Sequence, residues 1–410
     1  MATPARSHAD ACPGVFAPHD AADGAVARIR LPGGVLTAAQ LRVLAGCAAD
    51  LGDGTAHLTS RGNVQLRGLD RAEPELVRRL SAAGLLPAPG HERVRNILGS
   101  PASGLDGGEA AGLLDVRPLV RQLDAALCAR PELARLPGRF LFALDDGRGD
   151  VAGEDPDVAW QAVTGREFAD PNDAGFDRRN STGPDGSGPE GALLLAGADT
   201  GLRVPAAAAV DALLGVAAAF TATRGAAWRV RELPDTGALL VAAAPLGRRA
   251  EPARLPRRAG PPVGVHPGFA CVAPVLGELA ATTLRGLADR SSAGVVVTPW
   301  RTLLLPGVTT PPDLPGLVTD PADPAPGVSA CVGRPGCPKS RADVRADARR
   351  LLPVLPPGHR VHLAGCERRC GRPRGPHVDV LAADGGYRVG GSWVPAARVA
   401  EAAQRAGEDG

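Results

Sequence analysis

Residues 55–69, TAHLTSRGNVQLRGL, decide how the chain is expected to fold. Apolar and polar residues alternate along this stretch, which is typical of half-buried β-strands. Residues 36–52, LTAAQLRVLAGCAADLG, precede it with apolar residues at a helical spacing and with Thr37 as the predicted N-cap. Another alternating run, residues 25–34, comes before that helix, and a second helix is expected to end at Gly84. The pattern predicts strand, helix, strand and helix in that order.

The same pattern returns in residues 277–308, where a helical period is again followed by an apolar strand. The LRVLA of residues 41–45 recurs as LRGLA at residues 284–288, and the strand that begins near Thr59 has a counterpart near Thr298. Matches of Leu, Ala and Gly arise easily by chance in a composition so rich in these residues. The shared order of the landmarks nevertheless favours an internal duplication of an α+β unit.

The composition excludes several classes of protein. A chain of 410 residues with 44% hydrophobic residues can bury more than one core. Its 46 basic and 44 acidic residues give a net charge of only +2, which does not favour nucleic acid as a partner. No uncharged apolar run reaches the roughly 18 residues that a membrane helix needs, and no secretion signal is evident. We therefore expect a cytoplasmic protein that binds neither nucleic acid nor membrane.

The cysteines carry the strongest chemical signal. Four of the eight are clustered, as Cys331-x5-Cys337 in ACVGRPGCPKS and as Cys366-x3-Cys370 in HLAGCERRCGRP. Loops rich in Gly and Pro allow thiolates to surround a compact cluster while backbone N–H groups reach its sulfides. Structural zinc sites more often use Cys-x2-Cys, which is absent. The spacing favours an iron–sulfur cluster, with zinc, unliganded cysteines or disulfide-forming cysteines as the alternatives.

Two further points concern the segment around Cys337 and the four cysteines outside the clusters. A phosphate-binding loop ending at Lys339 is disfavoured because Pro338, which lacks an N–H, occupies the place of the required Gly. The remaining four cysteines stand singly and are expected to be small buried apolar residues, namely Cys12, Cys47, Cys128 and Cys271.

Together with the cysteine spacing, the motifs HLTSRGNVQLRGL (residues 57–69) and ERVRNILGSP (residues 92–101) make the chain resemble the sulfite and nitrite reductase family. The resemblance implies an α+β fold in a duplicated chain, with two ferredoxin-like half-domains and two mixed α/β domains that hold tetrapyrrole and cluster. The implied boundaries are residues 20–85 and 262–312 for the half-domains, 90–245 for the first α/β domain and 328–400 for the cluster-binding domain.

Within that family, two further motifs resemble those of an oxygen-dependent enzyme of aerobic cobalamin synthesis. They are GRFLFALDDGRGDV (residues 138–151) and VTPWRTLLLPG (residues 297–307). The resemblance implies a monooxygenase that hydroxylates precorrin-3A with dioxygen and closes a lactone. It also implies a [4Fe-4S] cluster on Cys331, Cys337, Cys366 and Cys370. Electrons are expected from a separate donor protein or a reduced nicotinamide system, since no Gly-x-Gly-x-x-Gly opens a helix after a strand. A sirohaem-dependent sulfite or nitrite reductase is one alternative, and a non-catalytic metal-stabilised binding module is another.

The resemblance also implies which residues bind the acidic macrocycle. An Arg side chain binds a carboxylate through two hydrogen bonds and stays charged, which suits the carboxylates on the rim of a precorrin. The reductases have two basic residues, separated by one residue, at this place in the chain. Here Arg139 keeps the first position and Leu141 replaces the second, and we expect Leu141 to lie above the ring. The predicted substrate-binding residues are Arg61, Arg95, Arg139, Asn63 and Gln65. The sequence predicts no catalytic residue.

Three weaker signals complete the sequence analysis. His377-x-Asp379 has the spacing that begins a 2-His-1-carboxylate iron site, so a second, non-haem iron is one interpretation and a buried strand is the other. The acidic run at residues 145–157 does not fit the spacing of a calcium loop and is expected to be solvated. His57 and His266 are isolated and are expected to be structural.

Overall fold

The computed structural model describes residues 12–106, 111–164 and 188–408. Within these residues the strands form four β-sheets, with helices packed on them. The Gly- and Pro-rich residues 180–191 have the composition of a linker and lie mostly outside the described residues. The predicted α+β class is confirmed by this mixture of sheets and helices.

The first sheet contains the stretch that decides the fold. Its five strands are antiparallel and occur in the order β1 (His19–Ala21), β2 (Gly24–Ile29), β5 (Val64–Leu69), β4 (Thr55–Leu58) and β14 (Glu278–Ala280). Helices α1 (Ala38–Leu51) and α2 (Glu75–Ala82) share its core. The predicted cap of α1 is confirmed, since Thr37 Oγ1 accepts a hydrogen bond from the Gln40 N–H and Gln40 Oε1 accepts one from the Thr37 N–H.

A second antiparallel sheet is built from the repeated segment. Its strand order is β12 (Gly264–His266), β13 (Phe269–Pro274), β16 (Leu303–Pro306), β15 (Val295–Val297) and β3 (Val35–Leu36), with β17 (Leu317–Val318) paired to β13. Helix α6 (Ala281–Arg290) precedes β15 as α1 precedes β4. The Oγ1 atom of Thr298 accepts bonds from the N–H groups two and four residues on, as Thr59 Oγ1 does in the first copy. The predicted duplication is therefore visible in both order and local contacts.

The two copies exchange short strands. Strand β3, which leads into α1, pairs with β15 of the other copy, and β14, which leads into α6, pairs with β4. The leucines of LRVLA and LRGLA lie in one continuous apolar core. Arg42 of α1 also forms an ion pair with Asp289 of α6, at 2.8 Å. The two half-domains thus form one body around a shared core.

The third sheet combines parallel and antiparallel pairing. Strands β6 (Ile97–Gly99), β7 (Phe142–Asp145) and β8 (Val158–Val163) are parallel, and β9 (Glu190–Leu195), β10 (Ala198–Pro205) and β11 (Arg248–Arg249) continue the sheet antiparallel. Helices α3 (Arg117–Cys128), α4 (Ala209–Thr223) and α5 (Gly237–Leu240) share its core. By length and composition alone, residues 206–223 are apolar enough to cross a membrane. In the fold, Leu213, Val216 and Phe220 of this helix are buried against the sheet.

The fourth sheet repeats the arrangement of the third. Strands β18 (Val328–Ala330), β19 (Val361–Ala364) and β20 (Val378–Ala383) are parallel, and β21 (Gly386–Val389) and β22 (Ser392–Pro395) are antiparallel. Helices α7 (Val344–Leu351) and α8 (Val399–Glu408) complete its core. Both sheets therefore present the carboxyl ends of three parallel strands at one edge, where ligands commonly bind in α/β sheets.

Candidate functional site

The clustered cysteines lie at the carboxyl edge of the fourth sheet. Cys331 directly follows β18, and the loop after the neighbouring strand β19 carries Cys366 and Cys370. The Gly365 N–H donates a hydrogen bond to Cys331 Sγ at 3.1 Å, so the two loops are in contact at a thiol. All four clustered cysteines are free thiols. The topology thus brings together two pairs that are separated in sequence.

The four thiols are close enough to influence one another. The pKa of Cys370 is raised, first by burial and then by the negative charges that Cys331, Cys366 and Cys337 can carry. No three of these sulfur atoms, all within the described residues, lie within 4.8 Å of one another. A tetrahedral zinc with Zn–S bonds of about 2.3 Å would hold its sulfurs about 3.8 Å apart. In this conformation the four thiols are therefore not as close together as the four ligands of a bound zinc ion.

Backbone conformation and three arginines shape the cysteine loops. Gly333 has a φ of +72°, and a Cβ there would lie 2.9 Å from the Val344 nitrogen, so only Gly is accommodated. Three arginines donate hydrogen bonds to loop carbonyls: Arg67 to Gly336 at 3.2 Å, Arg301 to Gly371 at 3.0 Å and Arg345 to Cys331 at 3.3 Å. These bonds fix the backbone at or next to Cys331, Cys337 and Cys370.

Arg61 and Arg139 are in contact through the Arg139 backbone. Arg61 Nη1 donates to the Arg139 carbonyl at 3.0 Å, and the Arg139 guanidinium lies over the Trp228 ring, 5.2 Å from its centroid. Burial, followed by the charges of Arg229 and Arg28, lowers the pKa of Arg61 to about 10, so Arg61 remains charged at neutral pH. Among the residues that the structure describes, no carboxylate lies within ion-pair distance of Arg61 or Arg139. Their charge is available to an anionic ligand.

Arg95 has a different environment. It is 5% exposed, and its guanidinium binds both carboxylate oxygens of Asp124 on α3 at 2.7 Å while also donating to the Leu85 carbonyl. Its charge is already compensated inside the fold. The geometry therefore supports a structural role for Arg95 and gives no support for its binding the macrocycle.

Asn63 and Gln65, which follow Arg61 in the motif of residues 57–69, also have different environments. Asn63 is buried, where its Oδ1 accepts from the Leu31 N–H at 2.9 Å and its Nδ2 approaches Asn96. Asn63 thus holds the loop that carries Arg61. Gln65 is half-buried on β5.

Leu141 does not lie above an open site. Phe140 and Phe142 point into the core beneath α3 and α4, and Leu141, which directly precedes β7, packs in a different apolar cluster. There it is buried with Leu98 and Val151. The interpretation of Leu141 as an apolar position over the ring is therefore wrong.

The structure adds a histidine to the motif of His377 and Asp379. His362 on β19 lies opposite Asp379 on β20, and its ring is 6.3 Å from that of His377. His362 is fully buried and its Nδ1 bonds Ser329 Oγ at 2.9 Å, whereas its Nε2 has no hydrogen-bond partner in the part of the chain that the structure describes. The three donor groups do not come within 4.8 Å of one another. They do not surround an ion in this conformation.

Two sets of contacts are not predicted by the sequence. His57 connects the first sheet to the cysteine loops, because its Nε2 bonds Asp53 at 3.2 Å and its Nδ1 bonds Arg345 at 3.0 Å. The acidic run that was expected to be solvated is in fact buried at Asp145, Asp146 and Asp150, so that prediction is wrong. Alternation and charge count alone give no signal for either arrangement.

The single cysteines agree only partly with the prediction of burial. Cys47 and Cys271 are buried, and burial raises the pKa of each thiol to about 11. Cys12 and Cys128 are half-buried.

Some comparisons with known proteins match only part of the chain. The family described as the nitrite/sulfite reductase ferredoxin-like half domain matches residues 19–83. A ferredoxin–nitrite reductase of Leptolyngbya laminosa is 39% identical over 141 residues, which cover 32% of this chain and 27% of that enzyme. The matched segment thus spans about a quarter of that relative.

Two comparisons extend along nearly the whole chain. A precorrin-3B synthase of a Sinorhizobium species is 26% identical over 403 residues, covering 92% of this chain and 81% of the relative. The structure of the Mycobacterium tuberculosis NirA protein superposes with a TM-score of 0.66 at 22% identity, covering 92% of this chain and 79% of that one. Residues 19–83 thus match a nitrite/sulfite reductase half domain, the fold is similar to that of the NirA protein, and along nearly its whole length the chain is similar to a precorrin-3B synthase.

Proposed function

We propose that the chain is an iron–sulfur monooxygenase that converts precorrin-3A into precorrin-3B. The observation that carries this proposal is the similarity to a precorrin-3B synthase over 92% of the chain, whereas the nitrite reductase similarity covers about a third. In the proposed reaction one atom of dioxygen enters the macrocycle as a hydroxyl group and the other leaves as water. Two electrons and two protons form that water, and the other oxygen atom is delivered to a meso C=C bond of the ring. The carboxyl group of a peripheral acetate then adds to the second carbon of that bond to form the lactone C–O bond, and its proton ends on the new hydroxyl group.

Different residues would hold the cluster, bind the substrate and position the substrate-binding loop. Cys331, Cys337, Cys366 and Cys370 would hold a [4Fe-4S] cluster, which supplies single electrons received from a separate donor protein or a reduced nicotinamide system. Arg61 and Arg139, whose charges are uncompensated within the described residues, would bind carboxylates of the substrate. Gln65 lies on β5, the strand that follows the Arg61 loop, and would also contact the substrate. Asn63 positions that loop.

The test is made on protein purified without oxygen. We expect about four irons and four sulfides per chain, and conversion of precorrin-3A only when dioxygen and a reductant are both present. Label from ¹⁸O₂ should enter the product. A stoichiometric zinc content without sulfide would contradict the cluster.

A sirohaem-dependent sulfite or nitrite reductase is the second candidate, and the half-domain match at residues 19–83 favours it. Its signature would be copurifying sirohaem with nitrite- or sulfite-dependent oxidation of a reduced dye. A second, non-haem iron stays a prediction, and an iron content clearly above the sulfide content would support it. The cytoplasmic location also stays a prediction.

A further inference from the structure

The third and fourth sheets carry equivalent loops at equivalent places. Ser100 directly follows β6 as Cys331 directly follows β18. The Ser100 N–H donates to the carbonyl of Leu144 on β7, and the Cys331 N–H donates to the carbonyl of Leu363 on β19. These bonds fix the same register in both sheets. The first α/β domain therefore has a counterpart of the cysteine site.

The counterpart has oxygen donors where the cysteine site has sulfur. Ser100 Oγ accepts from the Asp146 N–H at 3.1 Å, and Cys331 Sγ accepts from the Gly365 N–H at 3.1 Å. The spacing of Ser100 and the acidic residues parallels that of the cysteines. Ser100-x5-Asp106 corresponds to Cys331-x5-Cys337. Asp146-x3-Asp150 corresponds to Cys366-x3-Cys370 but begins one position earlier in its loop.

The carboxylates of this counterpart are buried and close together. Oxygens of Asp145, Asp146 and Asp150 lie within 4.8 Å of one another, and Asp150 is only 2% exposed. Asp150 Oδ1 accepts from Ser100 Oγ and from the Val151 N–H, both at 2.7 Å. Its other oxygen, Oδ2, is buried and has no hydrogen-bond partner within residues 12–106, 111–164 and 188–408. A buried carboxylate oxygen without a partner is costly unless a proton or a cation satisfies it.

The positive charge nearest to this oxygen is paired with other carboxylates. Arg148, the cation of the loop, forms ion pairs with Asp106 at 2.9 Å and with Asp146 at 2.8 Å. Asp145 is satisfied by backbone, since its two oxygens accept from four N–H groups, those of Gly147, Gly149, Val151 and Ala152. Asp150 is left with negative neighbours, and burial followed by the charges of Asp145 and Asp146 raises its pKa.

We propose that this loop binds one hard divalent cation of the Ca²⁺ or Mg²⁺ class. Asp150 Oδ2 and a carboxylate oxygen of Asp146 would be its protein ligands, and water would complete the shell. Oxygen donors select such ions over the iron that the thiols bind. The proposal does not depend on the reaction that the chain catalyses.

The site would have a structural consequence for the cysteine loops. The acidic loop continues into residues 153–155, where Arg374 bonds the Gly153 carbonyl at 3.2 Å and forms ion pairs with Glu154 at 3.4 Å and Asp155 at 3.6 Å. Arg374 lies four residues after Cys370. A cation on Asp150 would therefore fix the loop against which the cysteine segment rests.

The experiment uses cluster-containing full-length protein that has been freed of loosely bound metal with a chelator and dialysed. Ca²⁺ and Mg²⁺ are titrated separately by calorimetry, and bound metal is counted by elemental analysis after gel filtration. We expect one Ca²⁺ or Mg²⁺ per chain and an affinity at least tenfold weaker in Asp150→Asn. Asp384→Asn, at an exposed carboxylate, is the matched control and should bind as the wild type does.

Two results would overturn the proposal. One is wild-type protein that takes up neither ion, which would mean that Asp150 is satisfied by a proton. The other is an equal affinity in wild type and Asp150→Asn. If Asp150→Asn fails to fold, as judged by the cluster absorbance, the metal count on the wild type decides alone.

Discussion

The Arg95 guanidinium binds both carboxylate oxygens of Asp124 at 2.7 Å, which ties the segment before β6 to helix α3. Arg95→Ala would leave Asp124 without its partner in a partly buried place. We expect a loss of about 3 kcal/mol in the free energy of unfolding, the low end for a buried pair because Asp124 retains some exposure. Denaturant unfolding measures this loss, and unchanged stability with weakened substrate binding would restore Arg95 to the binding site.

Arg61 offers the opposite combination. Arg61→Ala should weaken binding of the carboxylated macrocycle by roughly 1.5–3 kcal/mol, because one charge-assisted hydrogen bond is lost, while the unfolding midpoint changes little. Arg61→Lys, which keeps the charge but not the two-pronged geometry, should recover only part of the affinity. Equilibrium binding under anaerobic conditions is the measurement. Affinity equal to that of the wild type in Arg61→Ala would remove this residue from the site.

The clustered and single cysteines should respond differently to replacement. Ser at position 331, 337, 366 or 370 should abolish the brown colour and lower the iron and sulfide content, because each thiolate is a predicted ligand. Cys47→Ala and Cys271→Ala are the controls, since both residues are buried in apolar cores away from the loops. Loss of the cluster in these controls, or its retention in the first set, would refute the assignment.

His362 should make the stability of the fold depend on pH. Burial, followed by the charge of Arg301, lowers its pKa from 6.5 to about 4, while Asp379 acts in the opposite direction. Below pH 6.5 the unfolded chain therefore binds a proton that the folded chain does not, and stability falls as the pH falls towards 4. Between pH 6.5 and pH 5 this residue should account for about 2 kcal/mol. His362→Asn should remove that part of the slope, and identical slopes would refute it.

Features set by local pattern could be predicted from the sequence, and features set by distant contacts could not. The cap at Thr37, the repeated LRVLA and LRGLA segments and the paired cysteines depend on residues close together in sequence. The partners of Arg95 and His362 come from other elements, Asp124 on α3 and Ser329 on β18. Leu141 was misjudged because the family position implies a ligand-facing residue, whereas in the fold it packs in an apolar cluster. Burial of the acidic loop likewise depends on β6, through Ser100.

The exchange of β3 and β14 between the two copies bears on how such a chain could arise. A single copy standing alone would present an open edge at β4, because the strand that covers this edge comes from the other copy. Two identical copies could cover each other's edges only as a twofold pair, each giving its short strand to its partner. The present chain thus has the form of a swapped dimer joined into one polypeptide. Once the two halves were covalently linked, their loops could diverge, sulfur donors on one side and oxygen donors on the other, without disturbing the shared core.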